Sequence, residues 1–537
     1  MSPELVSPRP RRLLALALLA VSLAHPAAAR SREEFQREFN RTLTLRSGQK
    51  VELDHSNGSL VVRGQAGSEL RIAATIRVSA ATKAEAERYS AAVEIRVAEA
   101  ADAVRVRTIY PEGRFKDVSF SVDYDVVVPE GAPLQASNAF GKLMLSGVKA
   151  GASVKNRNGA VSVTDVRGAQ RVENAFGAVE VARVAGDVTV SGTNGELSVQ
   201  SVEGALTASN RFGRVVVRGV QKGAMLTNAN AEVDVQDVTG PVSIDNSFGA
   251  VRAMTVGGDL QLTNKNGRVV VTGVKGKAVV RNAFGALEVA DVGGAAEVQN
   301  RNGAVVVRGV RGDAIVGTAF ATLEASGIEG RLSASNQNGA VSVREVSGPV
   351  EIQGTFGRIE ASALKQGVRV LGANGDVLIS DVAGAGYVKT SFGQVRAERV
   401  AGGLTVENAN GGVRASGVKG GAEIRGSFGG VSLTEVAGPV DVRNQNGAVE
   451  VALSGEAPCA KLALSTSFGP IRLTVPEGLG LDLSASTSFG SIRSDLPVTA
   501  SISRGQESLL GKIGAGGCAV SLTNNTGSIE ILKSGRR

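Results

Sequence analysis

The chain has 537 residues, of which 69 are glycine; aromatic residues make up only 4% and tryptophan is absent. Hydrophobic residues still reach 42%, most of them Val, Ala, Leu and Ile, so the chain is able to bury apolar surface in thin layers of small side chains. Disorder is therefore excluded as its main state. Two histidines and two cysteines exclude most chemistry that relies on clusters of these residues.

Residues 1–29 have the pattern of a secretory signal peptide. Arginines at positions 9, 11 and 12 precede an apolar run over residues 13–24, and alanines 27–29 follow it. The run is shorter than the roughly 20 residues that span a bilayer. We therefore expect cleavage before Arg30, no membrane span after cleavage, and an exported protein.

The formal net charge of +8 at pH 7 is a mild excess for this length. It is typical of a solvated surface of mixed sign, and the functional alternative is weak attraction to anionic polysaccharide or lipid headgroups. Nucleic-acid binding would require a clustered basic stripe with stacking aromatics, and the sequence shows neither. We predict no nucleic-acid partner.

A strict 18-residue period runs from residue 140 to residue 447. It alternates between two forms, and glycine follows the marker residue everywhere except at Ala231 and Ala321. One form carries Phe140, Phe176, Phe212, Phe248, Phe284, Phe320, Phe356, Phe392 and Phe428. The other carries Asn158, Asn194, Asn230, Asn266, Asn302, Asn338, Asn374, Asn410 and Asn446.

Between the glycines, apolar and polar residues alternate in runs of five to seven, which is the pattern of half-buried strands. Strands this short bury an apolar face only when successive copies stack. We therefore predict an all-β fold, a parallel β-solenoid (β-helix) of 18- or 36-residue repeats over residues 136–456. The Phe-Gly and Asn-Gly pairs fit its corners, because glycine adopts positive φ without penalty.

The length of one rung is open at this stage. A rung of 18 residues stacks Phe on Asn, whereas a rung of 36 residues gives separate Phe and Asn ladders. Two observations slightly favour a rung of 36 residues. Identical side chains would then stack on one another, and the strand after Phe often carries Ala where the strand after Asn carries Val or Ile. Local volume compensation beside Phe in an 18-residue rung explains the same pattern.

The two ends depart from the repeat. Residues 30–135 are predicted to form an N-terminal β cap, with a short helix over residues 81–92, and residues 457–537 to form irregular C-terminal coils. Cys459 and Cys518 each open a β-like run, so in an exported protein a disulfide between them is an open alternative to two free thiols.

The chain resembles the bacterial putative-adhesin family built on a β-helix, formerly a domain of unknown function and related to head domains of autotransporter adhesins. The resemblance rests on the segments at residues 51–64 and 124–129, on the repeated Asn-Gly-x-Val-x-Val-x-x-Val-x-Gly, and on residues 465–476 and 523–531. It implies an architecture and a surface or periplasmic role, and it supplies no catalytic residue.

Candidate sites are few, and each has a simpler structural explanation. Acidic residues at outward strand positions are expected to be solvent-exposed members of the alternating pattern, and not a pair of carboxylates that cleaves polysaccharide. They include Glu180, Asp187, Glu288, Glu324 and Glu360. His55 is expected at a surface turn. The glycines of residues 514–519 match a dinucleotide fingerprint without a following helix, and residues 311–313 spell Arg-Gly-Asp. No catalytic, metal or cofactor site is predicted.

These observations favour a non-enzymatic exported adhesin-like solenoid whose repeated faces bind envelope, glycan or protein partners multivalently. The partner classes are a cell-envelope polysaccharide or a surface protein. The first alternative is a periplasmic or cell-envelope scaffold that self-assembles, and the second, less favoured, is a carbohydrate-active β-helix enzyme.

Overall fold

The computed structural model describes residues 32–113, 115–453, 460–501 and 507–534. The predicted signal peptide and Cys459 lie outside these residues. Export, cleavage and the disulfide therefore stay predictions. Cys518, the other cysteine, is buried at the start of a C-terminal strand.

The described residues form one helix and 51 strands. The N-terminal cap consists of β1 (Glu33–Thr44), β2 (Lys50–Asp54), β3 (Leu60–Gln65), β4 (Glu69–Ala80), α1 (Lys83–Ala92), β5 (Glu94–Glu99), β6 (Ala103–Ile109) and β7 (Ser119–Pro129). The helix predicted over residues 81–92 is thus present as α1.

The regular array follows in chain order as β8 (Leu134–Phe140), β9 (Leu143–Ser146), β10 (Ala152–Asn158), β11 (Val161–Arg167), β12 (Gln170–Phe176), β13 (Val179–Ala185), β14 (Val188–Asn194), β15 (Leu197–Val202), β16 (Ala205–Phe212), β17 (Val215–Val220), β18 (Gly223–Asn230), β19 (Val233–Val238), β20 (Val242–Phe248), β21 (Val251–Val256), β22 (Leu260–Asn266), β23 (Val269–Val274), β24 (Ala278–Phe284), β25 (Leu287–Val292), β26 (Ala296–Gln299), β27 (Val305–Val310), β28 (Ala314–Phe320), β29 (Leu323–Ile328), β30 (Leu332–Asn338), β31 (Val341–Val346), β32 (Val350–Phe356), β33 (Ile359–Leu364), β34 (Val368–Asn374), β35 (Val377–Val382), β36 (Gly386–Phe392), β37 (Val395–Val400), β38 (Leu404–Asn410), β39 (Val413–Val418), β40 (Ala422–Phe428), β41 (Val431–Val436), β42 (Val440–Asn446) and β43 (Val449–Leu453). The C-terminal strands are β44 (Leu462–Phe468), β45 (Ile471–Val475), β46 (Leu481–Phe489), β47 (Ile492–Ser494), β48 (Thr499–Ser501), β49 (Glu507–Ile513), β50 (Cys518–Thr526) and β51 (Ile529–Lys533).

One rung contains two strands and 18 residues. In the array, even-numbered strands stack into one parallel sheet and odd-numbered strands into the other, and each residue pairs with the residue 18 positions later, as in Val154 with Val172. The parallel β-solenoid predicted from the sequence is confirmed, with about 19 turns.

The preference for a 36-residue rung is wrong. Asn158 pairs with Phe140 on one side and with Phe176 on the other, so the corner residues form one mixed column in place of separate Phe and Asn ladders. The frequent Ala in the strand after Phe therefore has a local cause and does not indicate a 36-residue rung. Ala253 stacks between Val235 and Val271, and all three are buried, so a small side chain lies between two larger ones at this point of the core; farther along the same column, Ala397 and Ala415 are adjacent.

The core lies between the two sheets and is filled mainly by Val, Leu and Ala. In the rung of residues 170–185, Val172 faces inward from one sheet and Val181 and Val184 from the other. Val181 and Val184 are three apart and still both point inward, because Arg183 between them has φ +54 and reverses the strand's alternation. Burying each Val side chain stabilises the fold by about 1.5–3 kcal/mol. Stacking of rungs therefore supplies the apolar burial that a single rung cannot provide.

Glycine follows the corner residue for steric reasons, with Ala231 and Ala321 as the exceptions in the array. Gly177 has φ +113, and a Cβ built on it would lie 2.5 Å from the carbonyl oxygen of Gly159 in the preceding rung. The glycine after the corner residue is therefore set by the close approach of neighbouring backbones as well as by its own φ.

A buried polar column, which the sequence analysis missed, lies two residues before the corner residues, with glycine in its place at residues 192, 354, 372 and 426. Its members are mostly asparagine. Asn156 donates through Nδ2 to the carbonyl oxygens of Gly159 and Gly141, at 3.0 and 3.3 Å. Asn264 also donates to Oδ1 of Asn282, at 3.3 Å. These bonds satisfy carbonyl groups that the tight corner turns away from the sheets.

At both ends the rungs stack out of chain order. β2 lies between β6 and β8, and β3 lies between β7 and β9. At the other end, β50 lies between β44 and β46, and β51 lies between β45 and β47. The rung of β2 and β3 and the rung of β50 and β51 are therefore each held between two other rungs, whereas β1 pairs with β4 at the edge.

The mixed column of corner residues continues through these displaced rungs. Asn57 pairs with Phe140 at the N-terminal end. At the C-terminal end, Thr526 pairs with both Phe468 and Phe489. A ring thus occupies every second rung in space even where the chain order is interrupted.

His55 is buried, so the expected surface turn histidine is wrong. Its rung lies between two others, where the ring is 4% exposed, contacts Tyr124 edge-on at 4.9 Å and places Nδ1 3.1 Å from Oγ1 of Thr108. His55 follows Asp54, which pairs with Ser137, and so extends the buried polar column opposite Asn138. Burial lowers the pKa of His55 to about 4.

The His55→Gln substitution is expected to weaken the pH dependence of stability. The folded state keeps His55 neutral, whereas the unfolded chain protonates it near pH 6.5, so its contribution is present above pH 6.5 and is lost as the pH falls toward 4. Between pH 7.5 and pH 4.5 the wild type should lose about 2.5 kcal/mol more than the variant. Urea denaturation followed by tyrosine fluorescence checks this, since Tyr89, Tyr110 and Tyr124 lie in the N-terminal cap. Equal losses in the two proteins would contradict it.

The polar column is tested at Asn264. Asn264→Ala should destabilise the array by about 1–3 kcal/mol, because buried carbonyl groups lose their donor. Asn264→Thr is the matched control, since Thr318 fills the same position and donates to the carbonyl oxygens of Gly303 and Phe320. We expect a smaller loss for Thr than for Ala in chemical denaturation, and the same loss for both would disprove the role given to the column.

Candidate functional site

The most distinctive surface of the molecule is one corner of the solenoid, here called the Phe corner. It lies where each even-numbered strand of the array ends, and in every second rung a phenylalanine projects from it. Ten rings are 46–54% exposed and Phe489, near the C-terminal end, is 74% exposed. The set is Phe140, Phe176, Phe212, Phe248, Phe284, Phe320, Phe356, Phe392, Phe428, Phe468 and Phe489.

The asparagines between the rings keep them apart. Asn158 donates through Nδ2 to the carbonyl oxygen of Ala139, at 3.4 Å, and Asn446 makes the same bond to Ser427, at 3.2 Å. With rungs ~4.8 Å apart, successive rings are spaced by roughly 10 Å, beyond the ~7 Å limit of aromatic pairing. The rings therefore do not shield one another and present their apolar area to solvent.

Small residues flank most of the rings. Phe176 lies between Ala175 and Ala178, two residues on, and Phe284 has Ala283 and Ala286 in the same places. Short neighbours leave the sides of each ring open as well as its outer edge. The arrangement is a row of separate apolar contact points along a straight edge.

Basic residues just before the corner residue occur in the first half of the array only. Position by position, the residue just before the corner residue is Arg157, Arg211, Lys265 or Arg301 in four of the ten copies up to residue 302, and is never basic in the later copies of the array. All four are exposed, and none takes part in an ion pair among the described residues. The sequence analysis missed this bias, although aligning the repeats would have revealed it.

The flat faces carry charges that largely neutralise one another. Glu288 pairs with Arg268 at 3.2 Å, Glu360 with Arg358 at 2.7 Å, and Glu324 lies 3.9 Å from Arg308. These acidic residues, considered above as polysaccharide-cleaving candidates, thus sit in surface ion pairs. Such exposed pairs contribute little to stability, about 0–1 kcal/mol each.

A shallow groove of about 790 Å³ follows the other bend, where the odd-numbered strands carry residues of positive φ. Two pairs of its charges, Lys149 with Glu130 and Arg183 with Asp165, are neutralised within the chain. Arg183 donates to both carboxylate oxygens of Asp165, at 2.6 and 2.7 Å, and this hydrogen bond lowers the pKa of Asp165. The same bidentate pair recurs between Arg399 and Asp381.

Two sequence motifs have structural roles. The carboxylate of Asp313, in Arg-Gly-Asp, accepts a hydrogen bond from the backbone N–H of Arg331 at 2.8 Å. Asp187 and Asp259 make the equivalent bond in other rungs, to Ala205 and Lys277. The glycines of residues 514–519 lie at the turn between β49 and β50, and a strand follows in place of the helix that a dinucleotide site requires.

Two further observations complete the survey. Within the described ranges, no group of three or more His, Cys, Asp or Glu residues is placed to hold a metal ion. The helix found there is too short and too polar to cross a membrane, and no other candidate span occurs in that part of the chain.

The family model of Toastrack DUF4097 matches residues 117–532, more than half of the chain. The chain belongs to the Toastrack family. This match confirms the family resemblance found in the sequence. The sequence of this Toastrack chain is similar to no curated protein.

Two solved structures are weakly similar to this Toastrack chain. One is a putative cell adhesion protein from Clostridium sporogenes, with 11% identity and a TM-score of 0.16; the alignment covers 43% of this chain and 100% of that one. The other is a putative adhesin from Parabacteroides distasonis, with 12% identity and a TM-score of 0.15, covering 53% and 97% of the two chains. TM-scores this low do not carry the role of those proteins over to this chain.

The exposed rings should be dispensable for folding. Phe248→Ala removes a ring that is already 52% exposed, so we expect a loss below about 1 kcal/mol. Val271→Ala, at a fully buried core position, should cost about 2 kcal/mol or more because it leaves a cavity. Thermal and chemical denaturation of both variants checks this, and a larger loss for Phe248→Ala would make the Phe corner a structural feature.

Proposed function

We propose that this Toastrack protein is an exported, non-enzymatic, adhesin-like rod that binds repeating partners of a cell envelope along its Phe corner. The observation that carries the proposal is the row of eleven exposed rings in one column at two-rung spacing. The alternation of a polar residue with a phenylalanine along this column continues in the displaced rungs at both ends. There, neighbouring rungs are not consecutive in the chain, so the sequence repeat by itself does not produce the alternation. A glycan or a surface protein with a matching repeat is the expected class of partner.

The mechanism is multivalent. Covering the exposed half of one phenylalanine contributes only about 1–2 kcal/mol, far too little for a stable complex. Several rings held on a rigid edge engage a repeating partner together, since after the first contact the others are already in place. Specificity then comes from the spacing of the contacts, and no deep pocket is required.

End-to-end self-assembly into a scaffold has less support. Among the residues that the structure describes, the N-terminal edge strand β1 pairs with β4 alone, and it carries Glu33, Glu34, Arg37, Glu38 and Arg41 along its length. Charged residues on an edge strand oppose pairing with another chain. The open end of the rod is therefore poorly suited to extension by a second copy.

Two deletions test the importance of spacing. Removing residues 249–284 takes out two rungs and one ring, joins Phe248 to Gly285 and preserves the alternation. Removing residues 249–266 takes out one rung and no ring, but places Phe248 directly beside Phe284. We expect the first deletion to weaken binding slightly and the second to weaken it more, although it keeps every ring.

The measurement is co-sedimentation of the mature chain, from Arg30 onward, with an isolated bacterial envelope fraction. Circular dichroism of each variant controls for folding. Complete loss of binding with the 36-residue deletion would contradict a multivalent mechanism, and no retention of the wild-type chain would overturn the proposed function.

A further inference from the structure

The Phe corner is electrostatically uneven along its length. In the two columns of side chains that directly flank the rings, five cations between residues 142 and 301 are exposed and make no ion pair among the described residues: Lys142, Arg157, Arg211, Lys265 and Arg301. Glu196 is the one acid of those columns in that stretch without such a pair. This half of the corner therefore carries a local positive excess.

The other charges of these columns are already neutralised. Arg214 lies 3.6 Å from Glu232 and 3.3 Å from Asp234, and Arg268 pairs with Glu288. Beyond residue 302 the array presents Arg358, paired with Glu360, and Asp376, whose carboxylate accepts the backbone N–H of Gln394. The second half of the corner has the same rings without free cations.

The spacing of these cations selects among anionic polymers. Nine rungs separate the rung of Phe140 from that of Asn302, a length of roughly 43 Å at ~4.8 Å per rung. Five cations over this length average about one for every 9 Å, close to the spacing of the rings, and successive cations are one, three, three and two rungs apart. A nucleic-acid strand in a duplex carries a charge every ~3.4 Å, much denser than the corner matches.

We propose that the N-terminal half of the Phe corner, from Phe140 to Asn302, binds an extended acidic polysaccharide with about one anionic group for every two sugars. Two sugar units of an extended β-linked chain are of the same order of length as two rungs. Alternate sugars then rest their apolar C–H faces on successive rings, while the anionic groups meet the flanking cations. The inference rests on the proposed function and names the partner class.

The probes are two soluble derivatives of one β-1,4-glucan: carboxymethylcellulose with about one carboxylate per two sugars, and neutral hydroxyethylcellulose. Oligo(dT) serves as the nucleic-acid probe. The test variant removes four corner cations, and the control variant removes four exposed cations from a different edge of the rod. The test substitutions are Arg157→Gln, Arg211→Gln, Lys265→Gln and Arg301→Gln. The control substitutions are Lys275→Gln, Arg311→Gln, Lys365→Gln and Lys419→Gln.

The wild type should bind carboxymethylcellulose more tightly than hydroxyethylcellulose, with a salt-sensitive Kd. The corner variant should raise the Kd for carboxymethylcellulose about ten-fold, and the control variant should raise it by less than about two-fold. The reason is that only the corner cations contact the bound anionic groups. Equal binding to both glucans, or equal weakening by both variants, would overturn the inference. Tighter binding of oligo(dT) than of carboxymethylcellulose would also overturn it and favour nucleic acid.

The rings are tested separately. Replacing Phe176, Phe212 and Phe248 by Ala should weaken carboxymethylcellulose binding by about ten-fold, whereas replacing Phe356, Phe392 and Phe428 should have little effect, because that half lacks free cations. Equal effects of the two triple variants would contradict a site confined to the first half. Retention on the envelope fraction without binding to carboxymethylcellulose would overturn this inference and leave the proposed function standing.

Discussion

The whole structure depends on the parallel hydrogen bonding of each strand to the strand 18 residues later. Because this register has no slip from β8 to β42, every position of the repeat becomes a column of side chains ~4.8 Å apart. Each side chain contacts the equivalent side chains of the rungs before and after it. A residue that packs well in one rung therefore packs well in the neighbouring rungs, and one that packs badly disturbs both neighbours. Glycine after the corner residue is the sharpest case, since a Cβ there would collide with the backbone of the preceding rung.

The buried polar column is the second consequence of this register. The tight corner turns backbone carbonyls away from the sheets, and a buried Asn or Thr two residues earlier supplies the missing donors. The column extends to Thr108 and His55 at one end and to Asn524 and Thr487 at the other. Placing these segments inside the stack keeps the corner column continuous and extends the polar column, which glycine interrupts at residues 192, 354, 372 and 426.

The functional surface follows from the same geometry. Alternating Phe with Asn spaces the rings too widely for them to cover one another, so each keeps an exposed apolar face. Most charges on the flat faces form ion pairs, such as Arg358 with Glu360. Five cations beside the rings of the N-terminal half of the Phe corner have no such partner among the described residues. A straight edge with this composition suits a long repeating ligand better than a small one.

The sequence by itself determined the solenoid, its period and the corner glycines, because a strict 18-residue repeat of short alternating strands has no other way to bury its apolar faces. It also contained the bias toward Arg and Lys before the corner in the first half of the array. Long-range strand pairing decided that Phe stacks on Asn, since the alternating pattern fits rungs of both 18 and 36 residues and like-on-like stacking favours the longer one. It also decided that His55 is buried. The insertion of that rung between two others is a long-range pairing, and no local pattern around residue 55 records it.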